Sequence, residues 1–173
     1  MKTLWLLRHA KSSWDDASLD DFYRPLNERG RRSARAIGQY LAERGVKFDL
    51  ILASPAERVA ETLKGLAKGG WRSGPIQFDE AIYHATARDL IELIRSAPKN
   101  AGRLMLVGHN PAIGELAVQL TAPDAHGLRA EASTKFPTGA LAAIELDIDS
   151  WADAGAECGR MVEFRVPRSL PAA

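Results

Sequence analysis

Short apolar runs of about five residues alternate along the chain with longer stretches whose apolar positions recur every three or four residues. Residues 3–7 (TLWLL), 49–53 (DLILA), 103–107 (RLMLV) and 140–146 (ALAAIEL) are nearly continuous apolar runs. Each reads as a strand covered on both faces, and the four are expected to form the centre of one sheet. Residues 161–166 read as a further strand at an edge. The amphipathic stretches between them read as helices. Asn27 caps the first, which carries Ala34, Ile37 and Leu41 on its inner face and stops at Gly45. The second starts at Ser54-Pro55-Ala56-Glu57, with Ser54 as the capping hydroxyl and Pro55 at the first helical position, and stops at Gly69-Gly70. A third covers residues 87–96 with Leu90, Leu93 and Ile94 inward. A fourth follows Asn110-Pro111 and buries Ile113, Leu116, Ala117 and Leu120, with Asn110 as its cap. Residues 121–139 hold Pro123 and Pro137 and no clean period, which predicts a loop or short lid. Strands alternating with crossover helices define an α/β chain with a largely parallel sheet.

Composition narrows the picture without redirecting it. At 173 residues, 46% hydrophobic and 26% charged, the chain fits a single domain with a real core. The 23 basic and 22 acidic side chains leave +1, so no whole-surface field favours nucleic acid or anionic lipid. Cys158 is the only cysteine, which excludes an internal disulfide and a multi-thiolate zinc site and fits a reducing compartment. The apolar run at the start meets Arg8 and His9 too early for a signal peptide or membrane span, so the chain is read as soluble and cytoplasmic. Trp71 and Trp151 are read as isolated exposed apolar residues that establish no interface.

The chemistry is sought at the carboxyl ends of the strands, where open α/β sheets bind ligands. Arg8 and His9 follow the first strand, Arg58 lies in the first turn of the helix after the second, and Gly108-His109-Asn110-Pro111 follows RLMLV. In a parallel sheet these share one rim. Two arginines, two histidines and two helix N-termini make an electropositive pocket suited to a phosphate. Guanidinium forks can stabilise the equatorial oxygens during transfer, so neither metal nor other cofactor is required. A neutral imidazole among such cations is a competent nucleophile toward phosphorus. Each residue alone has a plainer reading: Arg58 as a solvated helix residue, His109 as a satisfied core histidine. Competing motifs fail: there is no Gly-rich loop with Lys-Ser/Thr, no G-x-S-x-G and no H-E-x-x-H. Cys158 lacks the arginine six positions on that a thiolate phosphatase needs, since Phe164 stands there. Asp147-Ile148-Asp149 reads as a strand-end turn.

With these residues in place the sequence resembles the histidine phosphatase superfamily, in the short form typified by bacterial phosphohistidine phosphatases. LLRHAKSSW, Arg24-Pro25-Leu26-Asn27-Glu28-Arg29-Gly30, Ser54-Pro55-Ala56-Glu57-Arg58, Val107-Gly108-His109-Asn110-Pro111 and Phe136-Pro137-Thr138-Gly139 carry the resemblance along nearly the whole chain. It implies a three-layer α/β/α sandwich with a mostly parallel central sheet, like that of phosphoglycerate mutase. It implies His9 as the phosphorylated nucleophile and Arg8, Arg58 and His109 as the phosphate clamp. Two positions depart from the family: Ala10 replaces the glycine after the histidine, and Asp15 stands where an asparagine often touches phosphate. An ionised aspartate cannot donate, so Asp15 is left out of the site, whereas the Ser12 hydroxyl can donate to substrate. Lys11 reads as a solvated loop charge. The family often supplies a carboxyl after the third strand to protonate the leaving group, and Glu80 is the residue so placed; the plainer reading is a surface carboxylate. His84 and His126 are assigned no role.

The activity expected is phosphatase chemistry through phospho-His9, probed most directly on a phosphohistidine-bearing carrier protein as substrate and partner. The alternatives are a small-metabolite phosphomonoesterase, a mutase and a module that recognises phosphate without turnover. No nucleic-acid or membrane partner is expected.

Overall fold

The computed structural model describes residues 1–72 and 74–172. Its strands are β1 (Lys2–Arg8), β2 (Leu50–Ala53), β3 (Ile76–Phe78), β4 (Arg103–Gly108), β5 (Leu141–Leu146) and β6 (Gly159–Arg165), and its helices are α1 (Glu28–Glu43), α2 (Glu57–Lys68), α3 (Ala87–Arg95), α4 (Ala112–Leu120) and α5 (Leu128–Thr134). The strands form one sheet in the order β3-β2-β4-β1-β5-β6. The four apolar runs therefore do occupy its centre. β3, β2, β4 and β1 are mutually parallel, β5 is antiparallel to β1, and β6 is antiparallel to β5. A single strand is thus reversed.

Alternation along the strands divides the core in two. Leu4, Leu6, Leu104, Leu106, Ala142 and Ile144 face α3, α4 and α5, while Trp5, Leu7, Met105, Val107, Leu141 and Ala143 face α1 and α2. This is the expected three-layer arrangement, and both faces are sealed because successive strand side chains point to opposite sides.

Several local expectations are corrected. α2 starts at Glu57 with Ala56 in the capping position; Ser54 lies farther upstream, where its Oγ accepts from the Ala56 N–H at 3.3 Å. Residues 121–139 are not merely loop, since α5 lies within them and buries Ala132 against α4 and β6. Trp71 and Trp151 are buried rather than exposed, and each indole N–H is satisfied, by Val46 O at 2.8 Å and Ala101 O at 2.7 Å. The exposed tryptophan is Trp14. Asn27 caps α1 as expected, accepting from the Gly30 N–H at 2.8 Å. Asn110 binds the Gly114 N–H at 3.1 Å and so ties down the first turn of α4, although Pro111 is the formal cap. No described helix is long and apolar enough to cross a membrane.

Candidate active site

The register of the sheet brings the two histidines together. β1 and β4 are parallel with Arg8 opposite Gly108, so the next residues, His9 and His109, leave the sheet side by side, with ring centroids 5.3 Å apart. The His9 N–H donates to Gly108 O at 3.1 Å, and the Gly139 N–H donates to His9 O at 2.9 Å. Because β5 is reversed, its entry segment meets this same rim: Arg8 Nη1 donates to Phe136 O at 3.0 Å, and Asn110 Nδ2 donates to the same carbonyl at 2.9 Å. Arg58 arrives from the first turn of α2. Its carbonyl accepts from the Thr62 hydroxyl at 2.6 Å, and Thr62 Oγ1 in turn accepts the Ala10 N–H at 3.0 Å.

His9 is buried, and its Nδ1 lies 2.7 Å from Ala10 O. A carbonyl only accepts, so Nδ1 carries the proton and the neutral ring keeps its lone pair on Nε2. Burial, reinforced by His109 and the Arg58 and Arg8 charges, outweighs the Ala10 hydrogen bond and lowers the His9 pKa to about 3. Burial and Arg58 likewise lower His109 to about 4. His109 Nε2 is 2.8 Å from Ser54 Oγ. If Ser54, which already accepts from Ala56, donates there, the His109 proton sits on Nδ1. Three buried nitrogens of this group, Arg8 Nε, Arg58 Nε and His109 Nδ1, have no hydrogen-bond partner among the described residues, and the same holds for Trp5 Nε1 in the core. Unpaired buried donors are costly, and an oxyanion is the ligand that would satisfy them.

Three residues of the site were not anticipated. Asp21, in a 3₁₀ turn at Asp21–Tyr23, pairs with Arg58 (Nη2 to Oδ2, 3.0 Å) and with Arg24 (Nε to Oδ1, 3.0 Å). The Tyr83 hydroxyl donates to Asp21 Oδ2 at 2.5 Å, and the Tyr83 ring lies 5.5 Å from His109. Tyr83, then Arg24 and Arg58, hold the Asp21 carboxyl well below the usual carboxylate range. With both imidazoles neutral, three guanidiniums against one carboxylate leave the cluster two charges positive, a match for a phosphate dianion. Asp21 lies in a loop without hydrophobic period and Tyr83 in a short turn; the acidic pair before Arg24-Pro25 was the available signal.

The remaining expected residues fall as follows. Ser12 is buried and its Oγ accepts from Arg24 Nη1 at 2.7 Å, leaving its own proton free. Glu80 opens the 3₁₀ turn Glu80–Ile82 that leads to Tyr83; it is exposed, and its carboxylate has no hydrogen-bond or ion-pair partner among the described residues. His84 stacks on Tyr83 with centroids 4.2 Å apart, and His126 is exposed in the loop before α5. Beyond Arg8 a cavity of about 570 Å³ opens between α4 and α5, bordered by Asn110, Glu115, Gln119, Lys135 and Phe136.

Fold and rim together define an α/β protein whose strand ends carry an electropositive site suited to a phosphoryl group. Residues 4–84 match the family description of the histidine phosphatase superfamily, branch 1. An uncharacterised protein of Mycobacterium tuberculosis is 35% identical over 165 residues, covering 94% of this chain and 100% of that protein. A structure assigned as phosphohistidine phosphatase SixA from Nakamurella multipartitia superposes with a TM-score of 0.81 at 26% identity, covering 96% of both chains. A second SixA assignment, from Agrobacterium tumefaciens, gives 0.78 at 29% identity over 96% of this chain and 98% of that one. The chain belongs to the histidine phosphatase superfamily and is SixA-like within it.

Proposed function

We propose that the protein is a phosphatase working through a phosphohistidine on His9, with a phosphohistidine side chain of another protein as its substrate. The observation that carries the first part is the neutral His9 ring, its Nδ1 held by Ala10 and its Nε2 left with the lone pair, beside two arginines whose Nε–H groups are buried and unpaired. In the first step Nε2 attacks phosphorus, the P–N bond of the substrate breaks with its electron pair going to nitrogen, and the substrate leaves as a neutral imidazole because its other ring nitrogen already carries a proton. Arg8, Arg58 and His109 hold the equatorial oxygens. In the second step water attacks the phospho-His9 phosphorus, the P–N bond to His9 breaks, and inorganic phosphate leaves. The positive charge comes from guanidiniums, so the reaction needs no metal.

The relatives named SixA phosphohistidine phosphatases support the protein substrate. So does the exposed position of Glu80, because an imidazole leaves with little help from a general acid whereas an alkoxide does not. The cavity beside Arg8 favours a second reading, a small phosphomonoester whose leaving group lies between α4 and α5.

The test is mass spectrometry of enzyme quenched during turnover of a phosphohistidine carrier protein, with His9→Ala and a chelator-treated sample alongside. Phosphate on His9 and its loss from the carrier are expected. His9→Ala should lose roughly a thousandfold or more in kcat with its fold intact, and chelation should change nothing. Phosphate on His9 from small esters alone would transfer the assignment to the metabolite reading. Activity surviving in His9→Ala would overturn the mechanism.

A further inference from the structure

The Arg58 guanidinium is buried, yet it reaches the site from a helix terminus and could turn about its own side-chain torsions. Two of its five N–H groups are taken by one residue: Nη1 donates to Asp21 O at 2.7 Å and Nη2 to Asp21 Oδ2 at 3.0 Å. A main-chain and a side-chain acceptor on the same residue fix both the plane and the rotation of the group. Nε, buried and unpartnered, is thereby fixed too.

Asp21 is itself held from two other directions. Tyr83 OH binds Oδ2, and Arg24 Nε binds Oδ1. Arg24 is buried, donates to Ser12 Oγ at 2.7 Å and Ser13 O at 3.2 Å, and lies 3.5 Å from the Trp14 ring centroid. Three parts of the chain, the loop after β1, α2 and the turn after β3, therefore meet on one carboxylate. Each contact is polar and directional, so what the junction transmits to Arg58 is orientation.

We propose that Asp21 is a positioning residue of the active site, acting through Arg58, whose free N–H groups it aims at the phosphoryl oxygens. It does not act as the proton donor, because Tyr83 and Arg24 keep it ionised. The proposal rests on the phosphatase reading above. Orientation matters most where charge develops on the oxygens, so the effect belongs to kcat rather than to ground-state binding, to which Arg8 still contributes.

The test is a double-mutant cycle with Asp21→Asn and Arg58→Ala, read as kcat and KM on an aryl phosphate, with a melting curve for each variant. Asp21→Asn keeps the shape and one acceptor oxygen, so it guards against a folding defect that Asp21→Ala could introduce. Asp21→Asn is expected to lose roughly 10- to 100-fold in kcat with KM changed less than about threefold. In the Arg58→Ala background it should lose no further activity, because its effect runs through the missing guanidinium. Full multiplication of the two losses would overturn the proposal and reduce Asp21 to a loop brace, and so would an Asp21→Asn enzyme as fast as wild type. If Arg58→Ala and His9→Ala both kept full turnover, the phosphatase site itself would fall and the proposal with it, an outcome separate from the other two.

Discussion

At His9, the nucleophile proposed above, the groups that set protonation are the ones that would set reactivity. Burial, His109 and the two guanidiniums all disfavour its cation, and the Ala10 carbonyl fixes which nitrogen is free. The same shifts make folding depend on pH. A histidine held at about 3 in the fold against about 6.5 in an unfolded chain binds its proton first in the unfolded state. Its stabilising effect is complete above pH 6.5 and is lost as pH falls toward the folded value, costing on the order of 3 kcal/mol by pH 4. His109, at about 4, and the depressed Asp21 act in the same direction. Urea denaturation at pH 8, 6 and 4.5 should show stability falling, and the decline should be shallower in His9→Ala. Ser54→Ala removes the 2.8 Å partner of His109 Nε2 and the acceptor of the buried Ala56 N–H; it should lower kcat about 10-fold and cost about 1–3 kcal/mol of stability, checked by steady-state kinetics and calorimetry. Arg8, His9, Arg58 and His109 were legible because each ends or directly follows a strand or opens the next helix, places defined by hydrophobic pattern alone. Asp21 and Tyr83 were not, because their importance lies in a partner 37 and 62 residues away in sequence.

Elements that seal a layer were legible, and so was β6 at one edge, whereas β3 and α5, which bury least, were not. β1, β2, β4 and β5 read as strands because both of their faces are covered. β3 has three residues, all exposed, and α5 buries little besides Ala132, so neither carries a periodic signal. The direction of β5 was hidden for a different reason: a strand buried on both faces has the same apolar run whichever way it points. The start of α2 was misplaced because Ser54-Pro55 carries the chemistry of a cap, while the hydroxyl turns to Ala56 and His109 instead. Gly30 shows how closely the first helix is fitted to the site loop: a Cβ there would stand 2.0 Å from Lys11 O. The Asn27 N–H also donates to Lys11 O, at 3.0 Å. Gly30→Ala should therefore cost about 3 kcal/mol, seen as a lowered denaturant midpoint, and should reduce activity by displacing the segment after His9.

At the scale of the whole molecule, near-neutral net charge coexists with a locally positive rim, so attraction of anions is a short-range property of the pocket. The sheet order joins distant parts of the chain at that rim: Arg8 and Phe136 are 128 residues apart in sequence and 3.0 Å apart in space. The same order governs what happens while the chain is being made. β1 leaves the ribosome before either of its neighbours, and those neighbours, β4 and β5, begin at Arg103 and Leu141. Its apolar segment must therefore wait, unpaired, at least until β4 has been made, and pairings of such long sequence separation form slowly. A chain cut after residue 139 keeps every residue of the proposed phosphate site but lacks β5 and β6. It should remain unfolded by circular dichroism and show no activity, so synthesis of the site and its appearance are separated in time by the final strands.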